Sequence, residues 1–208
     1  MADGEVTLIG RSSSHFTRTT RIFALELGVP HVFRPVFDLT TLDLAAYSDN
    51  PALKVPVLLD EAGALYGTEN ICRALAERSG RRERVVLRGD VGARVVANAE
   101  ELIVSAMGAE VTIVTMTMAG QEQAISLKVR RSIENSLTFL EANLDGILAA
   151  LPEKRVLSFC ETALFCMVRH LPFRKVMAVD DFPKLLGFAA GFETRASAQA
   201  TAYRFDNA

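Results

Sequence analysis

Few residues of this 208-residue chain have side chains suited to nucleophilic or metal chemistry, and their spacing narrows that chemistry further. The three cysteines are Cys72, Cys160 and Cys166, and the three histidines are His15, His31 and His170. No cysteine pair has the C-x-x-C spacing, which argues against a disulfide framework and against a zinc site of four cysteines. The histidines lie far apart and lack the short spacing of metal ligands. We therefore expect no metal site.

Three consecutive serines, Ser12 to Ser14, stand immediately before a predicted helix. One face of that helix repeats at helical spacing, at Phe16, Thr20, Phe23 and Leu27. Gly28 supplies the stop signal. A hydroxyl at the start of a helix caps it by accepting a hydrogen bond from a free amide. Together with those amides it can also stabilise a thiolate, which lowers the pKa of the thiol.

Composition and charge suit a soluble globular protein. Hydrophobic residues make up 50% of the chain and charged residues 23%, which is unlike a disordered protein. The net charge of -2 gives no strong positive field, so we expect no nucleic-acid partner. The acidic start, residues 1–5, does not resemble a signal peptide, and no apolar stretch approaches the ~20 residues of a membrane span. We expect a cytoplasmic protein without a membrane partner.

Up to about Gly80 the predicted elements are short and alternate in type. The predicted strands are residues 6–9, 31–37, 55–59 and 64–66. The predicted helices are residues 16–27, a short one within 40–48, and one that carries Ile71 and Leu75. Residues 60–63 are interpreted as a hairpin turn between the last two strands. The order β-α-β-α-β-β-α predicts an α/β domain over residues 1–80.

The rest of the chain is predicted to be helical. Residues 81–88 belong to a charged connector, for which a solvated linker is favoured over a nucleic-acid patch. A second domain, residues 89–208, then follows as an all-α bundle. Ser158 and Glu161 form a capping box at the start of one helix, and Pro183 starts a last helix. Residues 111–115 alternate as a strand would, but we interpret them as the buried end of a long helix.

Three segments of the first domain resemble motifs of the glutathione S-transferase family. Ser14–Gly28 (SHFTRTTRIFALELG) resembles the family's first helix, which runs roughly S-P-F-x-R-x-V-R-I-A-L-x-E-x-G. Asn50–Leu58 resembles its N-P-x-x-x-V-P-V-L, and Thr68–Leu75 resembles the helix that it opens with Ser. Residues 157–164, 182–185 and 194–197 are similar to later motifs of the same family. The resemblance therefore covers almost the whole chain, in order.

This resemblance implies an architecture. The family fold is a thioredoxin-like, glutathione-binding domain, here residues 1–80, followed by a helical-bundle domain, here residues 89–208. Members are usually homodimers, and the third and fourth helices are the expected contact surface. An electrophilic substrate would lie between the glutathione site and the helix that begins after Gly89.

The resemblance also implies where glutathione would bind. The Val55–Pro56 peptide bond is cis in the family, and the turn leaves the Val55 N–H and C=O free to pair with the cysteinyl backbone. Thr68 corresponds to a Ser that binds the γ-glutamyl carboxylate at a helix start, where amides favour anions. Its hydroxyl is also expected to cap that helix.

Gly67 departs from the family pattern. The family has Glu, Gln or Asp at this position to fix the γ-glutamyl amino group, and Gly67 has no side chain. Glu69 lies two residues further on and substitutes for it only if the local backbone differs. Since a charge-assisted hydrogen bond is worth about 1.5–3 kcal/mol, glutathione binding is expected to be weakened or lost.

Ser14 aligns with the Ser or Cys that activates the thiol of glutathione; the alternatives are that Ser12 or Ser13 shares or takes over this role, or that Ser14 only caps the helix. His15 replaces a Pro, and an exposed first-turn residue is favoured over a donor to an anion. The leading hypothesis is a glutathione S-transferase-like enzyme. It would activate the glutathione thiolate for attack on an electrophilic small molecule, or catalyse a glutathione-dependent isomerisation. It needs no metal because the thiol brings the nucleophile. The alternative is a catalytically inactive binding or regulatory protein of the same fold. A thiol-transfer enzyme is disfavoured because position 14 is not Cys.

Overall fold

The N-terminal part of the protein is built on a four-stranded sheet. The computed structural model describes residues 4–125 and 127–207. The strands are β1 (Val6–Gly10), β2 (His31–Pro35), β3 (Val57–Asp60) and β4 (Gly63–Tyr66). Their order is β2-β1-β3-β4, with β2 parallel to β1 and the other pairs antiparallel. The predicted helix within 40–48 is a single 3-10 turn, Leu44–Tyr47, whose Tyr47 is buried.

Two helices, α1 (His15–Leu27) and α2 (Thr68–Arg78), cover one face of this sheet. Side chains alternate along a strand, and Leu8 and Leu58 point into the core shared with these helices. Ile9 points to the opposite face and joins a separate small cluster. Gly28 ends α1 with a φ of 67°, a left-handed conformation that glycine adopts without steric cost. These elements confirm the predicted thioredoxin-like order.

The charged connector is more firmly anchored than the sequence suggested. After a 3-10 turn at Arg82–Arg84, the short strand β5 (Val85–Val86) pairs in parallel with β6 (Leu157–Ser158). Val85, Val86 and Leu87 are at most 5% exposed. The prediction of a solvated linker is therefore wrong for these three residues, because consecutive apolar side chains favour burial over a solvated path.

The helical part contains five α-helices and a 3-10 turn, Glu122–Ala124, among the described residues. The α-helices are α3 (Arg94–Met118), α4 (Leu127–Ala150), α5 (Phe159–Phe173), α6 (Pro183–Glu193) and α7 (Ala196–Ala200). The helix that Pro183 opens is therefore followed by one more short helix. The Ser158 cap of the predicted capping box is present, since the Glu161 amide donates to the Ser158 hydroxyl at 3.1 Å, and the Glu161 carboxylate accepts from that hydroxyl at 2.6 Å. Helix α3 packs against α4 and α5, and α5 also packs against α1 and α6.

Residues 111–115 are helical, as predicted, but they are not a buried helix end. Ile113 is 3% exposed, whereas Val111 is 40% exposed and Thr112 and Thr115 face solvent. The β-branched side chains alternate in the sequence, but a helix turns only one of them towards the core.

Helix α3 is long and apolar enough to cross a membrane by length and composition alone. Core helices of soluble proteins pass the same criterion. In this structure its inner side, which includes Val96, Ile103 and Met107, belongs to the main hydrophobic core. That core also contains Phe23 from α1 and Phe165 from α5, so the sheet-covering helices and the helical bundle share one continuous apolar interior.

Candidate functional site

The register of the sheet brings three predicted site segments to one end. Ile9 lies opposite Val57, and Val57 lies opposite Tyr66. The chain leaves β1 after Gly10, enters β3 just before Val57 and leaves β4 after Tyr66. The same end of the strands is therefore connected to three loops, which carry Ser14, the Val55–Pro56 bond and the start of α2.

Ser14 is the residue that caps α1. Its backbone is extended, with φ -105° and ψ 126°, and its Oγ accepts a hydrogen bond from the Thr17 amide at 3.2 Å. The first turn of α1 lies close to β1, because a Cβ on Gly10 would meet the Thr17 side chain at 2.4 Å. Glycine at this position therefore permits the approach that sets the position of Ser14.

The three serines have different surroundings. Ser12 and Ser13 are 2% and 6% exposed, whereas Ser14 is half-buried. The Ser12 amide donates to the Asp206 carboxylate at 2.7 Å, and the Ser13 carbonyl accepts from the His170 ring at 2.8 Å. Ser14 is thus the most accessible of the three hydroxyls.

The Val55–Pro56 peptide bond is cis, as the family resemblance implies. Val55 is half-buried, and its N–H and C=O make no hydrogen bond within the described part of the chain. The preceding loop is held by Asn50, which is 4% exposed. Its side-chain amide donates to the Lys54 carbonyl at 2.8 Å and its Oδ1 accepts from the Ala52 amide at 3.1 Å. Asn50 belongs to the quoted Asn-Pro motif, but its positioning role was not foreseen.

The N-terminus of α2 differs from the prediction in which residue caps it. The cap residue is Gly67, and Thr68 is the first residue of the helix, so the expected Thr68 hydroxyl cap is absent. A residue inside the first turn cannot aim its side chain at the amides in the way that a preceding, non-helical residue can. The Gly67 carbonyl accepts the first intrahelical bond, from the Ile71 amide, which leaves the earlier amides available to an anion.

At this helix start Gly67 is exposed and has no side chain, whereas Glu69 is half-buried and its carboxylate is paired with another residue. Gly67 has φ 90° and ψ 133°, and a Cβ added there would meet only the Asn70 amide nitrogen, at 3.6 Å. Glu69 accepts a hydrogen bond from Arg88 at 2.7 Å, and Arg88 also pairs with Glu101 of α3. Glu69 is thus tied to the connector.

His15 is the clearest error of the sequence-based view. It was expected to be exposed, but it is 1% exposed and lies beside Glu110 of α3 and His170 of α5. His15 Nδ1 is 2.8 Å from His170 Nδ1, and His170 Nδ1 is 2.7 Å from Glu110 Oε1. The nearest two of these residues are 60 positions apart in sequence, so no local spacing could have revealed the cluster.

Burial acts in opposite directions on the pKa values of His15 and Glu110. It lowers the pKa of His15 to about 4. Burial alone would raise the pKa of Glu110, but hydrogen bonds with His15 and His170 outweigh it and hold that pKa below its usual value. His15 Nε2 and Glu110 Oε2 are buried without a hydrogen-bond partner in the described chain, although Glu110 Oε2 lies 3.3 Å from His15 Nδ1.

The C-terminal segment covers the same region. The Tyr203 hydroxyl donates to the Cys166 carbonyl at 2.7 Å, and the Arg18 guanidinium lies between the rings of Tyr203 and Phe165 at 4.3 and 4.6 Å from their centroids. The Tyr203 ring packs edge-on against His170. Through Arg18, the first turns of α1 are therefore held against α5 and the C-terminal segment.

The three cysteines are free, in line with their spacing in the sequence, and all three are buried. Burial raises the pKa of the Cys160 thiol to about 12 and raises the pKa values of Cys72 and Cys166 as well. Thiolates are scarce at such pKa values, so these cysteines are unsuited to nucleophilic chemistry at neutral pH.

A thioredoxin-like unit with a cis-proline turn beside two helix starts, followed by a helical bundle, is the architecture of glutathione S-transferases. In agreement with this, residues 8–83 match the family model of the glutathione S-transferase N-terminal domain. A search of curated protein sequences found no significant relative.

Solved structures of the same fold extend the likeness to nearly the whole chain. A glutathione S-transferase from Methylobacillus flagellatus with GSH bound has a TM-score of 0.78 at 22% identity, over 96% of this chain and 100% of that one. One from Methylobacterium radiotolerans, in complex with glutathione sulfonate, has 0.78 at 21% identity over 98% of both chains. An epsilon-class enzyme from the housefly Musca domestica has 0.75 at 18% identity, over 95% and 91%.

Proposed function

We propose that this protein is a glutathione S-transferase-like enzyme that activates the glutathione thiol for attack on an electrophilic small molecule. The main support is the register of the sheet, which brings the loops of Ser14, Val55 and Thr68 together at one end of the strands. Related folds with bound glutathione support it. In this proposal the domain of residues 1–80 binds glutathione, and the domain of residues 89–208 completes the site for the electrophile. Residues 81–88 are the linker between the two domains.

Two backbone features would hold the peptide. The unpaired N–H and C=O of Val55 would form two β-type hydrogen bonds with the cysteinyl residue of glutathione. The free amides at the start of α2, near Thr68, would bind the γ-glutamyl carboxylate, because a helix N-terminus favours negative charge. Pro56 fixes the turn between the two features by its cis bond.

Ser14 would stabilise the thiolate. Its Oγ already accepts from the Thr17 amide, so its own hydroxyl proton remains available to donate to sulfur. That bond favours the charged form and lowers the thiol pKa, which increases the thiolate fraction at neutral pH. The thiolate then attacks an electrophilic carbon, a C–S bond forms and the leaving group departs with its bonding electrons. Addition followed by loss of glutathione would isomerise a substrate instead.

The γ-glutamyl amino group is the weak point of this binding mode. Gly67 provides no acceptor, and Glu69 is engaged by Arg88, although its second carboxylate oxygen remains available. Glutathione should therefore bind about ten- to a hundredfold more weakly than it would with an acid or amide at position 67. The same observation favours a second candidate function, a binding or regulatory protein without catalysis.

We further infer a cytoplasmic homodimer. The three free cysteines support a reducing compartment. Exposed apolar side chains on α3 and at the start of α4, namely Val111, Met118 and Leu127, support these helices as the contact surface. Light scattering after size-exclusion chromatography should give twice the chain mass of 22.7 kDa, whereas a monomer at micromolar concentration would contradict the inference.

The enzyme and binding-protein hypotheses separate in one experiment. Glutathione is titrated calorimetrically, and conjugation of a broad electrophile is assayed in the wild type, Ser14→Ala and the control Ser12→Ala. We expect Ser14→Ala to lose about ten- to a hundredfold in kcat/KM, from one charged hydrogen bond of about 1.5–3 kcal/mol, and Ser12→Ala to stay near wild type. No binding at millimolar glutathione rules out the enzyme, and unchanged activity in Ser14→Ala removes Ser14 from this role.

A further inference from the structure

The buried cluster of His15, Glu110 and His170 has no part in the proposed glutathione chemistry. Its three side chains come from α1, α3 and α5, and they are 1%, 0% and 4% exposed. One potential metal-ligating atom from each lies within 4.8 Å of the other two. Such a set of buried polar groups needs a partner for each lone pair, because an unsatisfied one is costly in a protein interior.

With neutral rings, the protons of the cluster do not provide a partner for every lone pair. His170 Nε2 lies 2.8 Å from the Ser13 carbonyl oxygen, which only accepts, so Nε2 carries a hydrogen. In the neutral ring, Nδ1 then has a single in-plane lone pair. Two atoms compete for it, Glu110 Oε1 at 2.7 Å and His15 Nδ1 at 2.8 Å.

With both histidine rings neutral and the Glu110 carboxylate ionised, each assignment of protons leaves an unfavourable contact. If His15 Nδ1–H donates to His170 Nδ1, the Glu110 carboxylate faces the same lone pair. If His15 carries its hydrogen on Nε2 instead, the lone pairs of the two Nδ1 atoms face each other at 2.8 Å. The remaining carboxylate oxygen, Glu110 Oε2, has no hydrogen-bond partner in the described chain and lies 3.3 Å from His15 Nδ1. A cation that accepts all three lone pairs removes these conflicts together.

We propose that His15 Nδ1, His170 Nδ1 and the Glu110 carboxylate bind one divalent transition-metal ion, with Zn²⁺ as the probe of choice. Imidazole and carboxylate ligands suit Zn²⁺ and its first-row neighbours. The contact from His170 Nε2 to the Ser13 carbonyl is the outer-shell bond that commonly orients a metal-bound histidine.

The distances require only a small expansion. Ligands about 2.1 Å from a tetrahedral ion lie roughly 3.4 Å apart. The observed separations of 2.7, 2.8 and 3.3 Å would therefore grow by about 0.1–0.7 Å. The ion would fasten the first residue of α1 to α3 and α5, directly after Ser14. The proposal does not depend on glutathione binding.

Metal binding is measured on protein stripped with a chelator and then freed of it, without glutathione. Equilibrium dialysis with Zn²⁺ should give one ion per chain, and the thermal midpoint should rise with Zn²⁺. His170→Gln and Glu110→Gln should weaken binding by about a hundredfold or more, because each removes one of three ligands. The control His31→Gln, on β2 outside the cluster, should bind as the wild type does.

A second measurement keeps the test valid if a cluster variant does not fold. X-ray absorption of the Zn²⁺-loaded wild type should show two imidazoles and light-atom ligands without sulfur. Absence of binding in the folded wild type, sulfur in the coordination shell, or equal affinity in wild type and folded His170→Gln would each overturn the proposal. Titration of glutathione into the metal-free protein is scored separately, so that failure of one hypothesis does not count against the other.

Discussion

Replacement of Gly67 by glutamine should restore the missing contact to the γ-glutamyl amino group. The position has room for a side chain, since an added Cβ meets only the Asn70 amide nitrogen at 3.6 Å. Glutamine is preferred to glutamate because it adds no negative charge beside Glu69. A hydrogen bond to a charged ammonium is worth about 1.5–3 kcal/mol, so the glutathione Kd should fall by about ten- to a hundredfold.

The same substitution carries a cost in stability. Gly67 has a φ of 90°, a conformation that residues with a Cβ rarely adopt. A non-glycine residue held there costs about 1–3 kcal/mol, so the free energy of unfolding should decrease by that amount. Gly80, at the opposite end of α2, also has a positive φ, 66°, and open space around it. Gly80→Gln is therefore the matched control, with a similar cost and no gain in affinity.

Calorimetry with glutathione and with an analogue that lacks the γ-amino group tests the reasoning. Gly67→Gln should tighten binding of glutathione and leave binding of the analogue unchanged. A folded Gly67→Gln protein whose glutathione Kd is within twofold of the wild-type value would refute the assigned position of the γ-glutamyl group, as would an equal gain for the analogue.

Two further predictions concern stability, measured by urea denaturation. Glu161→Gln should lower the free energy of unfolding by about 1.5–3 kcal/mol at pH 7. Burial alone would raise the pKa of Glu161, but hydrogen bonds from Arg155 and Ser158 hold it below its ordinary 4.5. The loss of stability should therefore be complete above pH 4.5 and vanish as the pH falls through the lowered pKa of the folded state; a loss that does not depend on pH would contradict this. Gly10→Ala should cost about 1–3 kcal/mol because its Cβ would meet Thr17 at 2.4 Å, and Thr17→Ala in the same chain should recover part of it; equal costs with and without that second change would contradict the contact.

Features set by local sequence were predictable. The start and stop of α1 follow from Ser14 and Gly28, whose roles depend only on backbone conformation and short-range hydrogen bonds. The reciprocal Ser158 and Glu161 pair lies within one helical turn, so its spacing alone indicates the cap. The approximate order of strands and helices in the first eighty residues follows in the same way from short periodic patterns.

Features set by tertiary contacts were not predictable from the sequence. Whether Gly67 or Thr68 caps α2 depends on where β4 ends, which a motif fixes only within a residue or two. The burial of Val85 and Val86 requires β6, which lies 72 residues further on. His15 looks like an ordinary first-turn residue until α3 and α5 bring Glu110 and His170 to it.

The most direct test of the central claim is the thiol pKa of bound glutathione, followed by the ultraviolet absorbance of the thiolate as pH is varied. With wild-type protein the pKa should lie below the value of about 8.5 for a free thiol. In Ser14→Ala it should rise by about one to two units, the equivalent of one charged hydrogen bond. A bound thiol with the free-solution pKa, or the same pKa in wild type and Ser14→Ala, would contradict the account.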